Sequence, residues 1–209
     1  MSTMSSFARV DLFSVLCLLL FSPLAGCIGA DDVQEIAPVQ DTEELDEPCL
    51  FASQSVVQSM TSITVNGQER MFRLSAPNSD AGNKLPLIIA FHGGGGAAED
   101  FQQQNEFDQL AEQEKFIMAY AIAEDDRTAA EGEWFLNTAA TSRADNDFSE
   151  AIVDELSKEY CIDQDRLYAI GYSLGSMYSY EIACQLNHRF AAVASFAGTM
   201  PVEPETCIL

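Results

Sequence analysis

Hydrophobic and polar positions from residue 58 onward predict a β-hairpin followed by a buried strand. Gln58 to Ser75 has the pattern of the hairpin, and Asn66-Gly67 supplies its turn because both positions tolerate a positive φ. After a polar loop, Leu85 to Phe91 forms a continuous apolar run. Runs of this kind are typical of strands that are covered on both faces of a sheet.

The remaining pattern alternates helices and strands. Helices are predicted at 105–114, 147–160 and 174–186, and strands at 116–123, 166–171 and 190–196. Strands that alternate with helices after an opening hairpin predict an α/β fold with a mostly parallel sheet. The polar stretch 124–144 interrupts this order and contains Trp134, which either lines a pocket or packs in the core.

Three acidic residues, Asp145, Asp147 and Glu150, lie around the predicted start of the 147–160 helix. The positive end of the helix dipole favours carboxylates at this position. We therefore expect these side chains to act on helix stability and to have no catalytic role.

The first 26 residues have the features of a lipoprotein signal peptide. Leu12 to Leu20 is an apolar run that is too short to span a bilayer. The following Leu24-Ala25-Gly26-Cys27 resembles the lipobox of prokaryotic lipoproteins, which implies cleavage before Cys27 and lipid attachment to its sulfur. Ordinary signal cleavage, with Cys27 present by coincidence, is the alternative. Lipidation with two or more acyl chains predicts stable anchoring on the extracytoplasmic side of a membrane.

Residues 27–48 are expected to form an acidic tether between this anchor and the folded domain. The segment is rich in carboxylates and contains no Lys or Arg, so it repels itself and stays extended. The whole chain carries a net charge of −23. Such a surface repels phosphates, which excludes nucleic acid as a partner and favours neutral substrates.

Four cysteines, Cys49, Cys161, Cys184 and Cys207, lie in the predicted exported domain, where disulfides are the expected state. Their spacing leaves the three possible pairings open. The cysteines and histidines do not cluster as zinc ligands do, so no metal is expected. Asp163 and Asp165 fit a turn before a strand better than a calcium site.

The sharpest chemical signal is Gly171-Tyr172-Ser173-Leu174-Gly175, which matches G-x-S-x-G between a predicted strand and a predicted helix. This turn projects the serine hydroxyl out of the sheet as a nucleophile. Gly171 and Gly175 allow the close approach that the turn needs. The backbone N–H of Leu174 opens the helix, where unpaired donors favour a developing oxyanion.

The glycine loop His92-Gly93-Gly94-Gly95-Gly96 directly follows the buried 85–91 strand. In hydrolases such a loop supplies a second backbone donor to the oxyanion, so Gly93, Gly94 and Gly95 are predicted oxyanion-hole residues. His92 is expected to orient the loop through a hydrogen bond.

A dinucleotide-binding loop is the alternative interpretation of the same glycines, because Gly93-x-Gly95-x-x-Ala98 also fits G-x-G-x-x-G/A. That motif requires an acid about 20 residues further on, whereas Glu124 and Asp125 lie about 30 residues on. It also leaves the G-x-S-x-G motif unexplained.

Together with FAAVASFAG near residue 198, these motifs resemble the secreted polyhydroxybutyrate depolymerase and feruloyl esterase family over residues 58–209. The resemblance implies an α/β-hydrolase domain at 49–209, and hydrolysis of polyester or acyl-carbohydrate esters by a Ser-His-Asp triad without a cofactor. Ser176 stands where this family usually has glycine, and Leu174 where it often has a polar residue. Both departures leave the acyl substrate open.

The base and acid of the triad have no evident candidates in the sequence. His92 belongs to the glycine loop, and His188 follows the 174–186 helix, where it is expected to lie on the opposite face of the sheet. In this fold the acid and the histidine follow the serine along the chain. We therefore expect them beyond Leu209, with the last strands and helices of the fold, and expect the 209 residues alone to be inactive. A non-catalytic surface lipoprotein that keeps the fold for binding is the alternative.

Overall fold

A sheet of six strands and four helices make up the part of the chain that the structure describes. The computed structural model describes residues 49–124, 133–136 and 143–200. The strands are β1 Val57–Val65, β2 Gln68–Ala76, β3 Leu85–Phe91, β4 Ile117–Ala121, β5 Ile162–Tyr172 and β6 Ala192–Phe196. The helices are α1 Ala98–Gln104, α2 Phe107–Glu114, α3 Ala144–Glu159 and α4 Leu174–Gln185.

The sheet order is β1-β2-β4-β3-β5-β6. The hairpin β1-β2 is antiparallel and turns at Asn66 and Gly67, whose φ angles are 52° and 80°. Strand β2 pairs antiparallel with β4, whereas β4, β3, β5 and β6 run parallel to one another. The predicted α/β fold, with a mostly parallel sheet that a hairpin opens, is confirmed.

The central parallel strands β3 and β4 are covered on both faces, as their continuous apolar runs predict. In β3, Leu87, Ile89 and Phe91 face a core that α3 and α4 cover, while Ala90 faces a second core under α1 and α2. Strand β4 alternates in the same way, with Ala119 in the first core and Tyr120 in the second. Because successive strand residues point to opposite faces, both layers need apolar side chains at every position.

The main differences from the sequence prediction are an additional helix and an earlier start of one strand, and α3 also begins at Ala144 instead of Asp147. Helix α1 was not predicted, because its sequence AEDFQQQ carries no apolar stripe and buries only Ala98. Strand β5 begins at Ile162 instead of Arg166. After the buried Ile162, residues 163–166 are polar and mostly exposed, so the hydrophobic pattern of a strand is absent there.

A disulfide joins Cys49 to Cys161, immediately before β5, across a sequence separation of 112 residues. Cys184 is also disulfide-bonded. The predicted signal peptide, the lipid attachment site Cys27, the 27–48 tether and Cys207 lie outside the described residues. Within the described part of the chain, none of the helices has the length and hydrophobicity needed to cross a bilayer.

Candidate active site

Ser173 occupies a sharp turn between the last residue of β5 and the first residue of α4. Its φ of 51° and ψ of −112° lie in a region that non-glycine residues rarely adopt, at a cost of about 1–3 kcal/mol. The turn is held from both sides, because the Ser173 N–H donates to the Phe196 carbonyl at 2.9 Å and the Ser173 carbonyl accepts from the Met177 N–H at 3.1 Å. The residue is half-buried. Neither regular strand nor regular helix runs through this position.

Both glycines of the motif are required by backbone contacts. A Cβ atom on Gly171 would lie 2.0 Å from the Gly175 carbonyl oxygen, and one on Gly175 would lie 2.1 Å from the Phe91 carbonyl oxygen. Neither distance leaves room for a side chain, and backbone atoms have little freedom to move away. The two glycines therefore let α4 start directly against the ends of β3 and β5.

The glycine loop lies beside Ser173 because β3 and β5 are parallel neighbours. Phe91 at the end of β3 pairs with Gly171 of β5, so both chains leave the sheet at the same edge. A Cβ atom on Gly93 would lie 3.4 Å from the Ser173 Cβ, and one on Gly94 would lie 3.2 Å from the Leu174 Cδ2. Gly95 has a φ of 65°. The loop thus brings the backbone of Gly93 and Gly94 against the turn that carries Ser173.

His92 and Trp134 form one buried unit behind this loop. The His92 Nδ1 lies 2.9 Å from the Gly93 carbonyl oxygen, and the Trp134 Nε1–H donates to the His92 carbonyl at 2.8 Å. Trp134 stacks on Tyr178 with ring centroids 5.4 Å apart. Since only 2 % of Trp134 is exposed, its ring packs in the core instead of lining an open pocket.

His188 lies at the end of α4 opposite to Ser173. Helix α4 has 12 residues, which corresponds to about 18 Å of helix axis. The exposed His188 ring faces Glu150 of α3, with Nε2 and Oε1 3.6 Å apart. The described residues therefore bring neither histidine into hydrogen-bonding contact with the Ser173 hydroxyl.

Ser176 fits the turn through close packing with Gly198. Its side chain is fully buried, and a Cβ atom on Gly198 would lie 2.6 Å from the Ser176 Oγ. Among the described residues this hydroxyl has no hydrogen-bond partner. Ser176, which stands where the family usually has glycine, therefore fits because residue 198 after β6 is a glycine.

Two exposed aromatic rings stand next to Ser173. Tyr172 and Phe196 stack with centroids 5.9 Å apart, and Phe196 is 70 % exposed. Tyr172 also contacts Gly93, since a Cβ atom there would lie 3.1 Å from the Tyr172 Cδ1. The turn is therefore flanked by the glycine loop on one side and an apolar ring surface on another.

Asp145 lies in the first turn of α3, where the sequence predicts it, and it also forms a buried ion pair that the sequence did not predict. Its side chain is fully buried and forms an ion pair with Arg70 of β2, with Oδ1 and Nη2 2.8 Å apart. Burial raises the pKa of Asp145, and the Arg70 guanidinium opposes that rise. The signal in the sequence was the position of Arg70, which shares the inward face of β2 with Phe72 and Leu74. A charge on a core-facing strand position requires a buried partner.

Asp163 and Asp165 are engaged by their own strand. The Asp163 Oδ2 accepts from the Arg166 Nε at 2.6 Å, and its Oδ1 accepts from the Asp165 N–H at 3.1 Å. The hydrogen bond from Arg166 lowers the pKa of Asp163. The two aspartates therefore lie inside β5 instead of in a turn before it, and their contacts are local to the start of that strand.

Comparisons with known proteins agree with this geometry. The model of the family described as esterase PHB depolymerase matches residues 71–208. The "Putative esterase NocK" of Nocardia uniformis subsp. tsuyamanensis is 35% identical over 149 residues, which is 68% of this chain and 42% of the relative. Feruloyl esterase B of Piromyces equi is 28% identical over 58% of this chain and 22% of its own length. The chain spans less than half the length of these curated relatives.

Solved structures share the fold. The acetyl xylan esterase of Aspergillus awamori superposes with a TM-score of 0.55 at 23% identity, over 68% of this chain and 52% of that one. The S-formylglutathione hydrolase of Agrobacterium tumefaciens gives a TM-score of 0.56 at 14% identity, over 71% of this chain and 60% of that one. At these identities the likeness concerns the fold alone. Because the family match covers well over half of the residues, the chain belongs to the esterase PHB depolymerase family.

Proposed function

We propose that this protein is a serine esterase that hydrolyses carboxylic esters through an acyl-enzyme on Ser173. The observation that carries the proposal is the strained turn at Ser173, against which the glycine loop packs with 3.4 Å between the Ser173 Cβ and a Cβ position on Gly93. A strained strand-to-helix turn that presents a hydroxyl beside backbone donors is the arrangement that acyl transfer needs. Family membership supports the same chemistry.

The oxyanion is held by the backbone N–H of Leu174 and by an N–H of the loop formed by Gly93, Gly94 and Gly95. Leu174 is the first residue of α4, where the helix leaves its N–H groups without intrahelical partners. The Ser173 Oγ attacks the ester carbonyl carbon and forms a tetrahedral intermediate whose negative oxygen these donors bind. The intermediate then collapses, the alcohol leaves, and water cleaves the acyl-enzyme to release the acid.

The proton of Ser173 is taken by a histidine that an acid orients. Among the described residues the Ser173 hydroxyl has no hydrogen-bond partner, and His188 lies at the far end of α4. The order serine, acid, histidine along the chain is the rule in this fold. The chemistry requires no metal or organic cofactor.

The substrate class is a neutral polyester or an acyl-carbohydrate. The names of the family and of its relatives refer to polyhydroxybutyrate, feruloyl and acetyl esters. The stacked Tyr172 and Phe196 rings beside Ser173 offer an apolar surface to an acyl group. The net charge of −23 disfavours polyanionic substrates and nucleic acid.

The test is covalent labelling with a fluorophosphonate probe, in protein expressed from the complete reading frame. We expect stoichiometric labelling that maps to the peptide containing Ser173, and loss of labelling in Ser173→Ala. Ser176→Ala is the matched control, because Ser176 lies three positions after Ser173, in the first turn of α4, but is buried. Equal labelling of the Ser173→Ala variant contradicts the proposal, as does a complete frame that lacks an acid and a histidine after the serine.

We also propose that the protein is exported and held to a membrane by lipid on Cys27. The support is the Leu24-Ala25-Gly26-Cys27 sequence after an apolar run, followed by the acidic 28–48 segment. Expression in a lipoprotein-processing host with a clickable fatty acid should label the wild-type protein and not Cys27→Ala. Label retained by the variant contradicts lipid attachment at this cysteine.

A further inference from the structure

The short segment Glu133–Leu136 supports the glycine loop from behind. The Trp134 indole N–H donates to the carbonyl of His92, the first residue of the loop, at 2.8 Å. The Glu133 carboxylate lies beside Gly94, since a Cβ atom there would be 3.7 Å from the Glu133 Oε1. The segment thus contacts the loop at two points. A shift of the segment would move the backbone that carries the oxyanion donors.

This segment is itself anchored by one carboxylate. The Phe135 N–H donates to the Asp145 Oδ2 at 2.8 Å, while the Asp145 Oδ1 accepts from the Arg70 Nη2 at 2.8 Å. Asp145 therefore bridges the segment to the hairpin strand β2. Its buried position keeps water from competing for either oxygen.

Arg70 is fixed by further contacts on its other sides. Its guanidinium donates to the Ile122 carbonyl at 3.3 Å, lies 3.4 Å from the Glu124 carboxylate and stands 4.0 Å over the Phe148 ring. Only 3 % of the residue is exposed. The Asp145 carboxylate is consequently held against a group that belongs to the sheet.

A buried ion pair of this kind is a poor source of stability, because removing two charges from water offsets most of their attraction. Apolar side chains of similar volume at both positions often give equal or greater stability. Apolar side chains could not replace one contact of this pair: the Asp145 Oδ2 accepts a hydrogen bond from the Phe135 N–H. That hydrogen bond is directional and fixes the height of the 133–136 segment above the core.

We propose that the Arg70–Asp145 ion pair is a positioning device for the oxyanion loop, acting through Phe135, Trp134 and His92. The inference rests on the proposed function, because it assigns a role in catalysis to residues that do not touch the substrate. Arg70 and Asp145 are positioning residues: they set where the amides of Gly93 to Gly95 stand relative to Ser173.

The test replaces both charges at once, so that no unpaired charge is left in the core. The double variant Arg70→Met/Asp145→Leu removes the anchor and keeps apolar volume. The matched control is Arg189→Met/Asp154→Leu, because this pair also joins an arginine to an aspartate of α3 at 2.8 Å but lies near the surface. Trp134→Phe is the second variant, since it keeps a ring against Tyr178 and deletes only the N–H to His92.

Amide hydrogen exchange of residues 92–96, followed by mass spectrometry, is the readout that does not depend on activity. We expect the Arg70/Asp145 double variant and Trp134→Phe to exchange about tenfold faster there than the wild type, and the Arg189/Asp154 control to match the wild type. Unchanged exchange in a folded Arg70/Asp145 variant overturns the proposal. Should that variant not fold, unchanged exchange in Trp134→Phe overturns it.

Ester turnover is the second readout, in protein from the complete reading frame. Misplaced oxyanion donors weaken transition-state binding alone, so we expect kcat to fall at least about tenfold while KM stays within about twofold. A rise in KM with unchanged kcat overturns the positioning role. If the wild type does not hydrolyse esters, the proposed function fails, whereas hydrogen exchange still decides whether the ion pair holds the loop.

Discussion

The carbonyl oxygen of Phe91 lies 2.1 Å from the position that a Cβ atom on Gly175 would occupy. The end of β3 and the first turn of α4 are therefore in direct backbone contact. The same contact fixes the distance between the glycine loop, which follows Phe91, and the turn at Ser173. Stability and site geometry are coupled at this point.

Gly175→Ala is expected to destabilise the protein, because the added methyl group overlaps backbone atoms that have little freedom to shift. Overpacking of a tight interior costs about 1–3 kcal/mol or more. Urea unfolding of the wild type and the variant measures the change. Gly94→Ala is the control, since the nearest atoms its Cβ would meet belong to side chains, with the Leu174 Cδ2 first at 3.2 Å. If Gly175→Ala lowers the free energy of unfolding no more than Gly94→Ala does, the close backbone contact between Phe91 and Gly175 is contradicted.

Ser173→Gly is expected to be more stable than Ser173→Ala. Both variants lose the hydroxyl, but only glycine relieves the strain of a φ of 51° with a ψ of −112°. The difference in the free energy of unfolding should be about 1–2 kcal/mol in favour of glycine. Thermal unfolding of the two variants side by side measures it, and a more stable Ser173→Ala would show that the turn is unstrained.

Asp145 and Asp163 are expected to give stability contributions with opposite dependence on pH. Burial raises the pKa of Asp145, so the folded protein binds this proton more tightly than the unfolded chain does. Its contribution to the free energy of unfolding is therefore highest below a pH of about 4 and falls as pH rises above that value. The hydrogen bond from Arg166 lowers the pKa of Asp163, so its contribution is present above pH ~4 and is lost on acidification.

Urea unfolding of the wild type, Asp145→Asn and Asp163→Asn between pH 3 and pH 7 separates the two. The stability difference between the wild type and Asp145→Asn should become less favourable to the wild type as pH rises. The difference for Asp163→Asn should change in the opposite direction, by less than about 1 kcal/mol because this ion pair is near the surface. If the stability differences of both variants change in the same direction with pH, burial of Asp145 and the hydrogen bond from Arg166 to Asp163 do not have the opposite effects assigned to them.

Loss of the Cys49–Cys161 disulfide is expected to lower the free energy of unfolding by about 2–5 kcal/mol, because the bond closes a long loop in the unfolded chain. The double variant Cys49→Ser/Cys161→Ser measures this without disturbing Cys184. Ser55→Ala, an exposed residue in the same part of the chain, is the control. A double variant as stable as this control would show that the cross-link does not constrain the unfolded state.

Phe196→Ala is expected to raise KM for aromatic acyl esters about five- to tenfold and to leave acetyl esters nearly unchanged, because the stacked rings stand beside Ser173. Turnover of a feruloyl and an acetyl ester of the same alcohol makes the comparison. Leu110→Ala, an exposed apolar side chain on α2, is the control. Equal losses on both esters would show that Phe196 does not contact the acyl group.

The turn at Ser173 and the neighbouring glycine loop could be predicted because each depends on residues that are adjacent in the sequence. Glycine at 171 and 175 is needed wherever backbone approaches backbone, and the flanking strand and helix have clear hydrophobic patterns. The hairpin was predictable for the same reason, since Asn66-Gly67 carries the positive φ angles of its turn.

The Arg70–Asp145 pair could not be predicted in this way, because it joins residues 75 positions apart. Asp145 fits the dipole of α3 equally well by sequence, and only the packing of β2 against α3 shows where its carboxylate points. Helix α1 was missed because it lies on the surface with a single buried residue, and a helix of that kind leaves no periodic pattern.

The Cys49–Cys161 bond also determines how the domain responds to mechanical force. Strand β1 lies at the edge of the sheet and is the first strand after Cys49, so tension applied to the preceding chain would otherwise peel it away from β2. The covalent link diverts that tension to the start of β5, which pairs with β3 and β6 in the interior of the sheet. When the domain is pulled from its amino-terminal side, unfolding would require β5 to shear past its two neighbours, β3 and β6. The β1-β2 hairpin would carry little of the load.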